Sequence, residues 1–433
     1  MTNVVKVDRS LRPVTHPVPQ LPIPQVNRTF LNNGIELVTL DTHSDSQVTR
    51  IIFSWENGSW DARYLPESIL AAQLVINGNS SLSSLEMADL IDYSGATVGT
   101  DISSHNNSVS ILALQRNIDK ILPPIVECIN APLFPTDEFN TLRERLGAAR
   151  ATEEVKVTFQ AERLDLLQCF GAGHPATKMY TQADMQNGTI DKTIDTHHFL
   201  KGIQPPVVFV VGALTPAFMN ILTTELEKIA CTPGSLPSIN IVPPHPGEAS
   251  KPLFHNMPDS LQSAIRISIP TVSRANPEYQ RIRLMTIALG GYFGSRLMTN
   301  IREEKGLTYG INAALFGYRE GSFINISCQC DNKYVEEVIK EVNNEIEKLA
   351  TQPMDDEELE TVRQIATGSL LSTLDTPFNV MDYYVTQRHV RTPDNYFELQ
   401  QEAIREMNPM TIMDTTARYL ADKPKLISVA GKM

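Results

Sequence analysis

Apolar residues return every three or four positions in two stretches far apart in the chain. Ile118, Ile121, Leu122, Ile125 and Ile129 form one stripe, and Val335, Val338, Ile339, Val342, Ile346 and Leu349 form the other. That spacing puts the apolar side chains on one helix face, so two amphipathic helices are predicted. Elsewhere apolar residues alternate or run together over short lengths. Residues 34–40, 48–55, 108–114 and 207–211 read as strands on this basis. A helix is expected over 67–76, and three helical stretches separate the strand at 108–114 from the one at 207–211. Strands followed by helices, without strict alternation, indicate an α+β sandwich.

The pattern occurs twice. Asp195–Gly212 reads DTHHFLKGIQPPVVFVVG and Asp414–Gly431 reads DTTARYLADKPKLISVAG. Their ends share one offset in numbering, since 414 − 195 and 431 − 212 are equal, and no gap falls between. The two amphipathic helices, from Ile118 and from Val335, keep nearly the same offset, and so do the helix starts at Pro135 and Pro353. Drift by a position or two is what small loop insertions produce. Self-similarity of this kind marks a duplicated unit. The expected organisation is an extended, Pro-rich arm over 1–27, a first domain over 28–232, a Pro-rich linker over 233–258 and a second domain over 259–433. Proline resists helix and central-strand geometry, which is why the proline clusters read as arm and linker.

Composition narrows the function. The net charge of −13 argues against nucleic-acid binding, which needs a basic surface. No stretch approaches the ~20 apolar residues of a membrane span, and Met1 to Val26 has no apolar signal-peptide core. The cytoplasm is the expected compartment, or the periplasm if a leader has been removed. Five cysteines without a C-x-x-C spacing read as buried reduced thiols. His197 and His198 are neighbours that point to different sides of a helix, so surface or capping roles are expected. His105, His174, His255 and His389 carry no metal spacing.

Residues 289–310 read LGGYFGSRLMTNIREEKGLTYG. This resembles the second-domain signature of the M16 (pitrilysin/insulinase-like) metallopeptidases: a Gly-rich turn, then S-R-L, then R-E-x-x-G-L-x-Y. The duplication, the domain size and the opening FLNNGI at 30–35 are also similar to that family, over about residues 28–433. The resemblance implies two homologous M16-type (metallohydrolase, LuxS/MPP-like) α+β sandwich domains in tandem. Gly290, Gly291 and Gly294 lack the phosphate-loop spacing and are expected to serve tight turns.

Catalytic M16 members carry an inverted H-x-x-E-H on a first-domain helix. Two histidines on one face bind zinc, and the glutamate deprotonates zinc-bound water. In this sequence those positions fall on Ile69, Ala72 and Gln73, and the distant glutamate ligand falls near Arg150. No histidine lies between His43 and His105, so no shift of register restores the motif. The family also holds the substrate main chain with an arginine and a tyrosine seven positions apart, and both are present as Arg302 and Tyr309. Alone, such residues are usually a solvated charge and a packing aromatic; within the signature they become candidate substrate-binding groups.

The resemblance therefore implies a catalytically inactive subunit with no metal of its own. It would bind peptide and supply Arg302 and Tyr309 to a zinc-bearing M16 homologue in a heterodimer. A homodimer is a further possibility for its assembly. The alternatives are a zinc metalloendopeptidase with an atypical metal site and a purely structural or peptide-binding assembly subunit.

Overall fold

The computed structural model describes residue 10 and residues 21–43, 47–231, 244–247, 251–319 and 321–432. Most of the expected arm and of the expected linker lies outside these residues.

The first half contributes strands β1 (Asn27–Phe30), β2 (Glu36–Asp41), β3 (Val48–Trp55), β4 (Thr97–Ile102), β5 (Asn107–Leu114) and β6 (Val207–Gly212). Its helices are α1 (Leu65–Leu74), α2 (Ser84–Tyr93), α3 (Ile118–Asn130), α4 (Thr136–Glu154), α5 (Val157–Phe170), α6 (Gln182–Gln186), α7 (Ile190–Gly202) and α8 (Pro216–Leu226). The second half contributes β7 (Leu253–Asn256), β8 (Gln262–Thr271), β9 (Thr308–Gly317), β10 (Ser322–Asp331) and β11 (Leu426–Gly431). Its helices are α9 (Tyr279–Gly290), α10 (Val335–Thr351), α11 (Asp356–Ser372), α12 (Pro377–Val390), α13 (Tyr396–Glu406) and α14 (Pro409–Thr416), with a π-helical segment over Met298–Glu304.

The strands form two sheets, ordered β1-β2-β6-β3-β5-β4 and β7-β11-β8-β10-β9. Without β1 the two orders are the same. β2 pairs with β6, and β7 with β11, in parallel; every other pairing is antiparallel. β6 and β11 begin and end at equivalent positions of the sequence repeat, as a duplication requires. One feature differs from the expected layout: β7 is a strand inside the stretch read as linker. Its four residues follow Pro252 and need no proline nitrogen, so they are free to pair with β11.

Each sheet packs its own amphipathic helix on one face. Ile118, Ile121, Leu122, Ile125 and Ile129 of α3 meet Leu37, Ile51, Phe53, Ile111 and Val210. Val338, Val342, Ile346 and Leu349 of α10 meet Ile265, Ile267, Ile311, Ile324 and Ile326. The opposite faces are covered by exchange between the halves. α12, from the second half, places Val380, Met381 and Tyr384 on Val38, Leu40, Ile52, Val207, Phe209 and Val211 of the first sheet. α5, from the first half, lies on the second sheet, where its Ala161 meets Ala264 and Ala430 and its Cys169 and Phe170 meet Phe323 and Leu426. Strands buried on both faces lose polar alternation, hence the unbroken VVFVVG of β6. The end of the N-terminal arm joins this exchange. Ile23 is buried among the α12 residues, the Leu21 N–H donates to Gln401 Oε1 (2.8 Å), and the Tyr384 hydroxyl donates to the Pro24 carbonyl (3.0 Å).

Candidate functional site

Arg302 and Tyr309 stand on the outer edge of the second sheet, on a mount assembled from the signature residues. α9 approaches β9 closely at Gly290, where a Cβ would come within 2.6 Å of the Ala313 nitrogen. Gly290 thus serves close helix–strand packing rather than the tight turn expected from the sequence. The chain then enters the π-helical segment, pinned by Leu297, Met298 and Ile301 in the core. Buried Asn300 donates to Glu341 (3.3 Å) and Glu345 of α10, and Lys305 pairs with Glu341 at 2.6 Å. Arg296 forms a two-pronged pair with Glu358 of α11, 2.7 and 2.9 Å. Gly306 takes the left-handed conformation, φ 63°, that reverses the chain into β9.

Arg302 follows a core residue and is directed outward, its guanidinium carbon 4.6 Å from the ring centre of Phe293, which is itself exposed. Tyr309 sits on a β-bulge. Thr308 pairs with Cys330 and Ile311 with Cys328, so Tyr309 and Gly310 together oppose Gln329 alone. The Thr308 hydroxyl closes the bulge by accepting from the Gly310 N–H (3.1 Å). A bulge turns a side chain away from the regular pleat, and Tyr309 is 92 % exposed. Among the described residues neither the Arg302 guanidinium nor the Tyr309 hydroxyl has a hydrogen-bond or ion-pair partner. The result is a planar five-donor fork and a phenol donor held on a rigid edge.

The first-half helix expected to correspond to the zinc site is α1. Leu70 and Leu74 bury its core side against Phe134, Phe139, Leu142 and Met185, while Ile69 and Gln73 are half-buried. Ala72 is buried and lines a small, mainly apolar cavity with Trp55, Val109, Ile129 and His197. On α4, Arg150 lies 3.8 Å from the centre of the Tyr180 ring, so a cation occupies the place expected for the distant acidic ligand. Glu153 is paired with Lys156 at 2.5 Å, and Glu154 accepts from the Gln182 N–H at 2.7 Å. Ile69, Ala72, Gln73 and Arg150 together offer one weak amide donor, no imidazole and no carboxylate. This set does not fit zinc, which takes thiolate, imidazole or carboxylate ligands. Among the described residues no group of three or more His, Cys, Asp or Glu side chains is placed to hold a metal.

The histidines have other partners. His197 is not a surface or capping group as expected. Its ring packs edge-on against Phe134 at 5.5 Å, and burial with the nearby Lys201 charge pushes its pKa down to about 3. His105 and His174 both stand edge-on to Trp60, and His389 Nε2 lies 2.7 Å from Ser54 Oγ.

The duplicated α+β fold with exchanged helices thus joins a first-half helix without histidine to a second-half edge carrying Arg302 and Tyr309. The family model described as "Peptidase M16 inactive domain" matches residues 206–366. The non-peptidase homolog YmxG of Helicobacter pylori is 22 % identical over 394 residues, covering 84 % of this chain and 86 % of that protein. A solved peptidase M16 inactive domain from Pseudomonas fluorescens superposes with a TM-score of 0.82 at 18 % identity, over 94 % of this chain and 98 % of that one. The ferredoxin protease FusC, solved with Arabidopsis ferredoxin, gives 0.78 at 13 % identity; 99 % of this chain covers 49 % of that one. Residues 206–366 thus match the M16 inactive domain, and the chain as a whole has the tandem α+β fold of M16-like proteins.

Proposed function

We propose that this chain is the substrate-positioning subunit of a two-chain metallopeptidase, paired with a zinc-bearing M16 homologue. Peptide would add as a strand beside β9, the open edge of the second sheet, where main-chain hydrogen bonds give affinity and side chains give selectivity. Arg302 would hold a substrate carbonyl. The Tyr309 hydroxyl would donate to the oxygen that gains charge when water attacks at the partner's zinc. The observation that carries this reading is the bulge that exposes Tyr309 on a braced edge with its hydroxyl unpaired. A packing aromatic has no use for that arrangement. The complex of FusC with ferredoxin, on a fold of this kind, supports a surface able to engage polypeptide.

The test is reconstitution with a zinc-bearing homologue from the same genome, followed by peptide cleavage assays. Arg302→Ala and Tyr309→Phe should each lower kcat by roughly 10²–10³, as removal of one oxyanion donor does. Folding should change little, by under ~0.5 kcal/mol, since both are surface polar groups. The isolated chain should show no chelator-sensitive cleavage. A double variant that cleaves at the wild-type rate with its partner would leave a structural-subunit role as the better reading. Turnover by the isolated chain, lost in EDTA and restored by zinc, would favour an atypical metal site.

A further inference from the structure

A second groove lies in the second half, at the opposite end of β9 from Tyr309. Its walls are α9, α12 and α13, with Leu315 of β9 at its floor and Arg274, from the β8–α9 connection, at its rim; it encloses about 1110 Å³, its open mouth included. Leu315 is the one lining residue it takes from β9, and neither Arg302 nor Tyr309 lines it.

Two guanidinium groups converge there. Arg283 has its Nε 3.1 Å from Gln280 Oε1, but its Nη2 is buried without a hydrogen-bond partner, although the residue as a whole is only partly buried. Arg274 lies over the ring of Tyr279 at 5.8 Å, with its Nε also buried and unpartnered. Among the described residues neither arginine makes an ion pair. The one carboxylate in the groove lining, Asp382, is already engaged by Arg50 of the first half at 2.8 and 2.9 Å. Burial holds the Arg283 guanidinium below the usual arginine range, with Arg274 acting in the same direction. A desolvated like-charge pair without counter-charge is unfavourable to the fold, and an anion supplied from outside would relieve it. The groove also keeps acceptors idle: Gln387 Oε1 and Thr392 Oγ1 are buried without partners. A peptide backbone brings N–H donors for such acceptors. Tyr279, Tyr383 and Tyr396 supply rings against which a side chain can lie.

We propose that this groove is a peptide-binding site in which Arg274 and Arg283 jointly receive the carboxylate of an acidic side chain. Its place away from Tyr309 makes it a recognition site for a segment of a polypeptide other than the one at the sheet edge. The inference stands without the two-chain peptidase reading, because it needs neither a partner nor cleavage.

The test is calorimetric titration of the full chain with the capped peptide acetyl-Ala-Ala-Glu-Ala-Ala-amide, its Gln twin and inorganic phosphate. The Glu peptide should bind roughly ten- to hundredfold tighter than the Gln twin, the ratio expected of hydrogen bonds to a charged group. Arg274→Gln and Arg283→Gln should each erase that ratio while leaving the thermal midpoint unchanged or raised, since they remove an uncompensated charge. A structural arginine would instead lower the midpoint. Equal binding of the two peptides, binding of neither, or saturable phosphate binding without Glu-peptide binding would overturn the proposal. These readings use wild-type protein, so a variant that fails to fold does not affect them.

Discussion

The two exchanged helices occupy equivalent places in the duplicated fold, yet they seat themselves by different chemistry. α12 closes the first sheet with large apolar groups: Phe209, Val38, Leu40, Val211, Met381 and Tyr384, with Phe397 from α13. α5 closes the second sheet with small and polar groups at its centre, and with Phe170 against Phe323 and Leu426 at its end. In the repeat, Val207, Phe209 and Val211 correspond to Leu426, Ser428 and Ala430. Where the first seam buries Phe209, the second buries Ser428. Three alanines, Ala161, Ala264 and Ala430, let α5 lie close to its sheet, and a polar cluster fills the centre. There Asn325 Nδ2 donates to Asp165 Oδ2 (3.1 Å) and to Ser268 Oγ (2.8 Å), and Gln168 Nε2 donates to the Ile427 carbonyl (2.6 Å). Duplication thus preserved which helix covers which sheet without preserving what it buries there. The first seam draws on apolar area; at the second, Asp165, Gln168, Ser268 and Asn325 are partnered while the Ser428 hydroxyl is not.

The sharpest way to break this contrast is to truncate both seams at matching positions. Phe209→Ala should cost about 3–5 kcal/mol, the transfer loss plus the cavity left behind. Ser428→Ala should change stability by under ~1 kcal/mol in either direction, because its buried hydroxyl has no partner to lose. Urea unfolding of the two variants measures both. Comparable losses at the two sites would mean that the polar seam stabilises the fold as strongly as the apolar one.

A smaller effect sets the two seams against each other in pH. Burial raises the pKa of Asp165 to about 6, above its ordinary value of 3.8. The folded state therefore favours the protonated acid. Its stabilising contribution is complete below pH ~4 and is lost as pH rises through 6. Asp165→Asn should then stabilise the protein above pH 6, by up to about 3 kcal/mol for a shift of roughly two units, and change little below pH 4. His389, in the α12 seam beside Ser54, has the opposite sign. Burial, with Arg319 nearby, holds its pKa down to about 4 against an ordinary 6.5. Its contribution is present above pH 6.5 and disappears as pH falls through 4, so His389→Gln should flatten the acid limb of the stability curve. Melting temperatures of both variants between pH 4 and 8 check this. Parallel curves for both variants and wild type would refute the assignment of opposite signs.

The contrast also explains what could be read from the sequence. The duplication, the α3 and α10 stripes and the strand β6 were legible because their burial follows a helical period or an unbroken apolar run. The exchange of α5 was not, because the residues it buries include Asp165, Gln168, Ala161 and Cys169, which leave no apolar stripe. Arg302 and Tyr309 became candidates through the motif around them. The bulge beneath Tyr309 was not, since it arises from a register shift between two strands. The Arg274–Arg283 groove gathers residues from 274 to 400, so no local spacing could announce it.

The smallest expected effect concerns the ion pairs that flank both seams. Arg50 of β3 reaches Asp382 of α12 at 2.8 Å, and Arg266 of β8 reaches Glu162 of α5 at 3.1 Å. Glu162 and Asp382 are each the sixth residue of their helix, but the arginines that meet them differ by two positions in the repeat: Arg50 pairs with Val211 and Arg266 with Ser428. The carboxylates are nearly half exposed, with side-chain exposures of 49 % for Asp382 and 47 % for Glu162. Solvent and salt screen such pairs, and ordering two flexible side chains offsets much of the attraction. Double-mutant cycles built on Arg50→Met with Asp382→Asn, and on Arg266→Met with Glu162→Gln, should each return a coupling of about 0.2–1 kcal/mol that fades at high salt. A coupling well above that range at either seam, insensitive to salt, would show that the exchange is held by charge. The difference between Phe209 and Ser428 would then be secondary to a charge pair that each half placed on its own seam.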